Sequence, residues 1–327
     1  MPRPPLTSPF CIADVHIPNR VILAPLAGIG NWFVRLQARR YGAGMAVSEM
    51  VSSFALAHGN RRTLSEMLRI HPDEGIVSLQ LFGGDPAVMR LAAEVAAGEG
   101  PDLLDLNMGC PVPKVVKAGA GAALLGDPDR ALAVARAAIE GSGLPVTVKL
   151  RSGLEPGDRS GLDLARRLVA EAGVAAVAMH PRPARVRHRG EPDYTAVRKL
   201  VASVEVPVIV SGGLGTAERA RRAHRESGAD ALMIARGSLG NPWIFAELTG
   251  VAGEPRPEEI EAELRWILDR AEEHWGAQRA ARNLRKFYPP YVERLGFSGP
   301  EADRFQRTES LDQVRDLLSR APEPASL

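Results

Sequence analysis

The chain has 327 residues, of which 45% are hydrophobic and 24% are charged, and its formal net charge is +2 at pH 7. This length is typical of about two domains, and the apolar content is sufficient for a large core. So small a net charge gives no overall field that would by itself indicate a nucleic-acid ligand. The two cysteines exclude a disulfide framework and a metal cluster of the Cys-x-x-Cys kind.

Targeting signals are absent from the sequence pattern. The first ten residues lack the apolar segment of a signal peptide. No apolar run approaches the roughly 20 residues that span a bilayer. We therefore expect a cytoplasmic protein that binds no metal and no membrane.

Eight short apolar segments, rich in β-branched residues, recur along the first three-quarters of the chain and predict strands. They are residues 21–27, 45–50, 76–82, 103–107, 145–150, 174–180, 206–212 and 230–235. Amphipathic segments that follow an N-cap residue lie between most of them, as in 85–97, 127–139 and 216–228. This alternation indicates an α/β fold with a parallel sheet covered by helices, and the count of eight favours a closed (β/α)8 TIM barrel. An open doubly wound sheet is less consistent, because it would normally show GxGxxG after its first strand.

The pattern changes after residue 250. A segment rich in Pro, Gly and Glu follows, and the rest of the chain has a helical period without strand signals. The predicted helices are 258–276, 278–287 and 308–320, and the second carries four basic residues. We therefore predict a barrel domain over residues 1–250 and a small all-helical C-terminal domain over residues 251–327.

The segment 103–125 carries the strongest functional signal. A predicted strand ends at Asn107, and Cys110 follows in a loop between a glycine and a proline. Most cysteines are packing residues, as we expect for Cys11. Cys110, however, follows a strand end, where barrel enzymes keep their chemistry, and Lys114 brings positive charge nearby. Cys110 is therefore the candidate catalytic residue.

Polar residues and glycines follow most of the other predicted strands. Because the carboxyl ends of barrel strands meet at one mouth, residues distant in sequence can be collected there. The polar residues and glycines at these strand ends, together with the small or apolar residues beside them, are Pro25, Leu26, Ala27, Glu49, Gln80, Asn107, Lys149, Arg151, His180, Ser211, Gly212, Gly213, Ala235, Arg236 and Gly237.

The last two strand ends indicate a phosphate site. A glycine-rich turn follows the seventh strand and Arg236 follows the eighth, where barrels bind phosphate. Lys149 would be costly to bury unpaired, so we expect a negative ligand group beside it. Gln80 can both donate and accept hydrogen bonds, which suits the edge of a heterocycle. A ring system with a phosphate tail at the top of a barrel points to flavin mononucleotide, FMN.

With a flavin at this mouth, Cys110 is interpreted as an acid. Reduction of a conjugated double bond by a flavin needs a hydride at one carbon and a proton at the neighbouring carbon. A thiol can donate that proton at neutral pH. The alternative role, that of a nucleophile, requires a base, and His180 is the candidate at the same mouth.

Several segments, taken together and in order, resemble the tRNA-dihydrouridine synthases, most closely the bacterial B-type branch. They are APLAGIGN, SEMVSS, QLFG, DLNMGCPVPKVVKAGAGAALL, VKLRSG and ALMIARGSLGNPWIF, and LRKFYPPYVERLG is a fainter match in the tail. The resemblance covers about residues 12–250. It implies an FMN-dependent enzyme that uses NADPH, or NADH, to reduce particular uridines in tRNA to 5,6-dihydrouridine.

The resemblance also implies roles for single residues. Cys110 would give the proton to C5 of the uracil, and Asn107 would hold the uracil beside it. The flavin contacts would be Pro25, Leu26, Ala27, Gln80, Lys149 and His180, and the phosphate contacts Ser211, Gly212, Gly213, Ala235 and Arg236. Arg151 and Arg182 would contact substrate or the flavin edge, and Lys114 would contact substrate. The helical domain and the arginine-rich loop 182–189 would grip tRNA through its phosphates, and we expect a monomer.

The sequence departs from the family pattern in three places. Ser211-Gly212-Gly213 stands where members typically have Asn-Gly-Asp, Pro181-Arg182-Pro183 replaces Gly-Arg-Thr, and His188 replaces a tyrosine. The target uridine is therefore less defined than the reaction. Two alternatives stay open: an FMN-dependent dihydroorotate- or dihydropyrimidine-type oxidoreductase, and a non-catalytic tRNA-binding protein.

Overall fold

The computed structural model describes residues 4–251 and 253–320, and all structural statements refer to these residues. The strands are β1 (Phe10–Ile12), β2 (Val15–Ile17), β3 (Val21–Leu23), β4 (Met45–Val47), β5 (Val51–Ser52), β6 (Val77–Phe82), β7 (Leu103–Met108), β8 (Val146–Arg151), β9 (Ala176–His180), β10 (Val208–Ser211) and β11 (Ala231–Ile234). The α-helices are α1 (Trp32–Arg40), α2 (Ser53–Ala57), α3 (Pro86–Ala97), α4 (Pro113–Lys117), α5 (Pro128–Ser142), α6 (Ser160–Arg167), α7 (Tyr194–Val201), α8 (Ala217–Ser227), α9 (Trp243–Thr249), α10 (Pro257–Trp275), α11 (Ala277–Asn283), α12 (Tyr288–Arg294), α13 (Gly299–Arg307) and α14 (Leu311–Leu318). Short 3₁₀ or π turns occupy Thr63–Met67, Pro72–Glu74, Gly121–Gly126, Leu168–Ala172, Arg236–Ser238 and Leu284–Lys286.

Eight parallel strands close into a barrel. Their order is β4-β3-β11-β10-β9-β8-β7-β6, and β6 pairs back with β4, while the short β5 pairs with the end of β6. Helices follow most of these strands and cover the outside. The predicted (β/α)8 TIM barrel is therefore confirmed, and each of the eight predicted segments overlaps one barrel strand.

Side chains alternate between the two faces of each strand, and the inward faces are of two kinds. The inward residues of β9, β10, β11 and β3 form one apolar cluster, which we call the apolar half of the barrel interior; they are Ala176, Ala178, Ile209, Ala231, Met233 and Ile22. On β6, β7 and β8 the inward residues are mainly polar, and we call these the polar half; they are Ser78, Gln80, Asp105, Asn107, Thr147 and Lys149. The outward residues of all the strands pack against the helices.

A hairpin closes the N-terminal end of the barrel. β1 and β2 pair antiparallel, and Phe10, Ile12 and Ile17 belong to the same apolar cluster as the barrel interior. Arg20 attaches the hairpin to the barrel, because its guanidinium donates to the carbonyl of Asp230 at 2.8 Å and to that of Pro9 at 3.1 Å. Cys11, which we expected to be a packing residue, lies on the exposed side of this hairpin.

The C-terminal part is helical, but its boundaries differ from the prediction. The predicted helix 258–276 corresponds to α10, whereas 278–287 contains α11 and a 3₁₀ turn. The chain then starts α12, where two prolines can occupy the first turn because its N–H groups need no helical partner. The predicted helix 308–320 contains α14, and neither α12 nor α13 was predicted. None of the described helices is long and apolar enough to cross a membrane.

These helices pack against the barrel around a buried carboxylate. Glu263 on α10 is 3% exposed and accepts hydrogen bonds from Gln37 at 2.8 Å, Tyr41 at 2.8 Å and Arg40 at 3.1 Å, which lie on or directly after α1. A buried carboxylate needs such partners, because burying it unpaired is costly. The helical part is thereby attached to the barrel by a specific contact.

Candidate functional site

A cavity of about 1070 Å³ opens at the C-terminal ends of the barrel strands. Two predicted site residues do not line it: Leu26 is buried in the core between strands and helices, and Lys114 is exposed on α4. The predicted residues that do line it are Pro25, Ala27, Gln80, Asn107, Cys110, Lys149, Arg151, His180, Arg182, Ser211, Gly212, Gly213, Ala235 and Arg236.

The loop that carries Cys110 is held on both sides. Asn107 Oδ1 accepts the backbone N–H of Cys110 at 2.9 Å and that of Gly109 at 3.2 Å. The Cys110 carbonyl accepts the N–H of Ala122 at 3.0 Å, and Arg151 Nε donates to the Gly109 carbonyl at 3.0 Å. The half-buried Cys110 thiol is therefore carried by a loop whose backbone has few alternative conformations.

Below this loop, a chain of side-chain hydrogen bonds crosses the polar half. Asn107 Nδ2 donates to Gln80 Oε1 at 2.9 Å, and Gln80 Nε2 donates to Asp105 Oδ2 at 2.6 Å. Thr147 Oγ1 donates to Asp105 Oδ1 at 2.5 Å. Burial raises the pKa of the Asp105 carboxyl above its ordinary value, while these hydrogen bonds act in the opposite direction.

Lys149 is the unpaired cation of the polar half. It is half-buried, and its ammonium has no hydrogen bond or ion pair with any described residue. Burial, followed by the nearby Arg151 guanidinium, lowers the pKa of Lys149 to about 8. An amine held in this way at a cavity wall is suited to an anionic or hydrogen-bond-accepting ligand.

His180 at the end of β9 is neutral. Burial lowers its pKa far below the ordinary value, and the surrounding cations act in the same direction, beginning with Lys149. Arg182 Nη1 lies 3.2 Å from His180 Nε2, and because a guanidinium can only donate, Nε2 is the acceptor and Nδ1 carries the proton. No hydrogen bond joins the Cys110 thiol to this imidazole within the described residues. A nucleophilic role for Cys110 therefore has no paired base at the site.

The turn after β10 requires its glycines. Gly212 has φ +92°, and a Cβ there would lie 2.3 Å from His180 Cδ2. Gly213 has φ +81°, and a Cβ there would lie 2.6 Å from the Tyr194 hydroxyl oxygen. The Tyr194 hydroxyl also donates to the Gly212 carbonyl at 3.0 Å. Backbone rather than side chains therefore forms this wall of the cavity.

The comparisons with known proteins decide the family. The model of the family described as dihydrouridine synthase (Dus) matches residues 22–317. The chain belongs to the dihydrouridine synthase family. It is 35% identical to tRNA-dihydrouridine synthase B of Pseudomonas aeruginosa over 92% of each chain. It is also 35% identical to tRNA-dihydrouridine synthase B of Vibrio cholerae, over 94% of this chain and 97% of that protein.

Solved structures share the fold of this dihydrouridine synthase family member at low identity. Morphinone reductase in complex with tetrahydroNAD matches with a TM-score of 0.56 and 19% identity, over 79% of this chain and 94% of that one. A complex of 2-naphthoyl-CoA reductase matches with a TM-score of 0.60 and 12% identity, over 75% of this chain and 52% of that one. These likenesses support the barrel architecture.

The dihydrouridine synthase cavity is strongly cationic. Among the described residues that line it, Glu191 is the one carboxylate, and six side chains are cationic: Lys149, Arg151, Arg182, Arg187, Arg219 and Arg236. Arg219 is not among the predicted site residues. Its position could have indicated it, because Arg219 lies in the first turn of α8, directly after the glycine-rich turn. At such a position a side chain and backbone N–H groups can bind the same anion.

Two of these arginines hold loops in place. Arg151 donates to the carbonyls of Gly109 at 3.0 Å and Arg187 at 2.7 Å, and Arg182 donates to the Gly190 carbonyl at 2.7 Å. Arg151 therefore links the Cys110 loop to the arginine-rich loop 182–189. The predicted role of both arginines is contact with substrate or the flavin edge, and no local sequence pattern shows which carbonyls the folded loops bring to them.

Proposed function

We propose that this protein reduces specific uridines in tRNA to 5,6-dihydrouridine, with FMN as the bound cofactor and NADPH as the source of electrons. Its family membership and the coverage of the curated relatives support the reaction class. The observation that carries the proposal is the half-buried Cys110 at the mouth of a barrel, on a loop held by Asn107 and facing a cavity with an unpaired lysine.

The residues of the cavity fit FMN. Lys149 presents an unpartnered cation to the polar half, and the backbone of Gly212 and Gly213 lines the cavity wall because neither residue has a side chain. Arg219 and Arg236 supply charge for a phosphate at the same end, where barrels bind phosphate. A cavity of about 1070 Å³ is also large enough for a ligand of this class with a second ring beside it.

Each catalytic group of the chain has a limited task. When bound and reduced by NADPH, FMN would supply the hydride for C6 of the uracil. Cys110 donates the proton to C5, and Asn107 holds the loop so that the thiol faces the cavity. Lys149 and the neutral His180 hold the cofactor's polar edge, and Arg151 keeps the Cys110 loop and the loop 182–189 in register.

We propose that residues 251–327 form the domain that grips tRNA, although Ala252 and residues 321–327 lie outside the described residues. The basic helix expected to do this has internal contacts: Arg279 donates two 2.8 Å hydrogen bonds to Glu66, and Lys286 donates to the Gly28 carbonyl. Arg282 is exposed and forms no hydrogen bond or ion pair with any described residue. Its guanidinium and the cationic mouth of the barrel contact phosphates of the tRNA. The protein acts as a monomer in the cytoplasm.

The reaction is tested by mapping dihydrouridine in tRNA from cells that lack the protein, together with an absorption spectrum of the purified chain. We expect loss of dihydrouridine at one position and a yellow protein. Unchanged tRNA with a yellow protein would favour a reductase that acts on a free base. Unchanged tRNA with a colourless protein would favour a non-catalytic tRNA-binding role.

The role of Cys110 is tested by Cys110→Ala. We expect the variant to retain flavin that NADPH can reduce, while turnover on tRNA falls by about 10²- to 10⁴-fold, the usual contribution of a general acid. Cys11→Ala is the matched control, because Cys11 is exposed at the opposite end of the barrel. Wild-type turnover in Cys110→Ala would remove the acid role.

A further inference from the structure

Asp105 is a buried charged group to which the proposed mechanism assigns no task. It is 1% exposed in the middle of β7 and forms no ion pair with any described residue. A carboxylate in this setting has an unfavourable desolvation free energy, and replacing such groups by apolar residues is often neutral for stability. Its two hydrogen bonds, from Gln80 and Thr147, therefore need an explanation other than stability.

Two donors face Asp105, Gln80 Nε2 and the Thr147 hydroxyl, and both stabilise the ionised carboxylate against the effect of burial on its pKa. Because an ionised carboxylate can only accept, it decides the direction of the hydrogen bonds above it. Accepting from Gln80 Nε2 at 2.6 Å turns the Gln80 oxygen toward Asn107. That oxygen accepts from Asn107 Nδ2 at 2.9 Å, which leaves Asn107 Oδ1 turned toward the Cys110 loop. There it accepts the N–H of Cys110 at 2.9 Å.

Reversing either amide would break the chain. A reversed Gln80 would place two acceptors against each other at Asp105 and two donors against each other at Asn107. A reversed Asn107 would present an NH₂ group to the N–H groups of Gly109 and Cys110, which would lose both of their bonds. Buried donors and acceptors left unpaired in this way are costly.

We propose that Asp105 is a positioning residue that sets the orientation of the Cys110 loop through Gln80 and Asn107. Thr147 supports it by donating to the second carboxylate oxygen. The kinetic consequence rests on the proposed function, whereas the structural consequence for the thiol does not.

The kinetic test compares Asp105→Leu with Asp105→Asn in FMN-loaded protein. Leu removes the acceptor, so we expect kcat for tRNA reduction to fall by about 10- to 100-fold, the effect of a misplaced catalytic group, with an unchanged KM for tRNA. Asn can accept from Gln80 with its oxygen and donate to the Thr147 hydroxyl with its nitrogen, so it restores most of kcat. Ser78→Ala is the matched control, because the buried Ser78 hydroxyl has no partner among the described residues.

The structural test measures alkylation of Cys110 by iodoacetamide in the same FMN-loaded proteins, with the exposed Cys11 of each molecule as the internal reference. Loss of one hydrogen bond raises the population of molecules with a released Cys110 loop about tenfold. Asp105→Leu should therefore raise the ratio of the Cys110 alkylation rate to the Cys11 alkylation rate about tenfold. Asp105→Asn and Ser78→Ala should keep the wild-type ratio.

A wild-type ratio and a wild-type kcat in Asp105→Leu would overturn the proposal, as would an Asp105→Asn variant that is no better than Asp105→Leu. If Asp105→Leu does not fold, Asp105→Ala takes its place, since a smaller side chain leaves room for water rather than an apolar contact. If the wild type does not reduce tRNA, the proposed function fails, and the alkylation ratio alone decides the role of Asp105.

Discussion

The polar half and the apolar half of the barrel interior share one strand geometry and differ in what their inward side chains do. In the apolar half, Ile209, Ala231 and their neighbours pack against each other and against the hairpin that closes the barrel. In the polar half, Gln80, Asp105 and Thr147 satisfy one another by hydrogen bonds across three adjacent strands. One side of the interior therefore supplies packing energy, and the other supplies the orientation of the groups at the mouth.

The largest effect is expected where β10 of the apolar half ends. Gly212→Ala places a Cβ 2.3 Å from His180 Cδ2 at a residue with φ +92°. The steric and conformational costs together lower the free energy of unfolding by about 4 kcal/mol. Gly215→Ala is the control, since a Cβ there meets nothing within 4 Å. Thermal unfolding measures both, and equal melting temperatures would show that the turn adapts.

The next effect concerns the unpaired cation of the polar half. Lys149→Met keeps the apolar stem and removes the charge, so we expect FMN affinity to fall about 100-fold, as when a charged hydrogen bond is lost. Lys117→Met, on the exposed end of α4, should bind FMN as the wild type does. Fluorescence titration of the apoprotein with FMN measures both affinities. Wild-type FMN affinity in Lys149→Met would show that Lys149 does not bind the cofactor.

A polar group moved into the apolar half should have no partner. Ile209 pairs in register with Ala178 and Ala231, so a hydroxyl at this position meets apolar neighbours. The free energy of unfolding of Ile209→Thr should therefore be about 2 kcal/mol lower than that of Ile209→Val. The valine variant loses a methyl group without gaining a hydroxyl. Denaturant unfolding compares the two. Equal stabilities would mean that the apolar half can accommodate polar groups.

The smallest effect is the pH dependence of FMN binding. The pKa of Lys149 in the unliganded protein is about 8, so its ammonium is charged below this pH and neutral above it. An anionic ligand stabilises the charged form, and affinity therefore falls as pH rises through about 8, by about tenfold over the next unit or so. Lys149→Met serves as the reference for all other titrating groups. A wild-type curve parallel to that of the variant would contradict the assignment.

Much of the fold followed from the sequence because its signals are local. The barrel strands are nearly continuous apolar runs, and closed-barrel geometry brings Gln80 and Asn107 to one mouth although 26 residues separate them. The hairpin was missed because its two strands have three residues each and, unlike β3 and β4, do not lie in a longer apolar run. The 3₁₀ turn Leu284–Lys286 was missed because the helical period continues across it.

Parts of the site depend on three-dimensional contacts that no local pattern contains. Asp105 is visible in the sequence only as an interruption of an apolar strand, and its role depends on cross-strand register with Gln80 and Thr147. The bonds of Arg151 depend on the paths of two loops. Lys114 follows Cys110 closely in sequence, but α4 turns it to the exposed side.

The hairpin at the N-terminal end has a kinetic consequence for whatever the cavity holds. Since Phe10, Ile12 and Ile17 fill that end, the opening that the described residues leave to a small molecule in the cavity lies at the strand C-terminal ends. A macromolecular substrate seated over the mouth would cover this opening. Dissociation of the cofactor would then wait for release of the substrate, and the loaded protein would keep its flavin through each turnover.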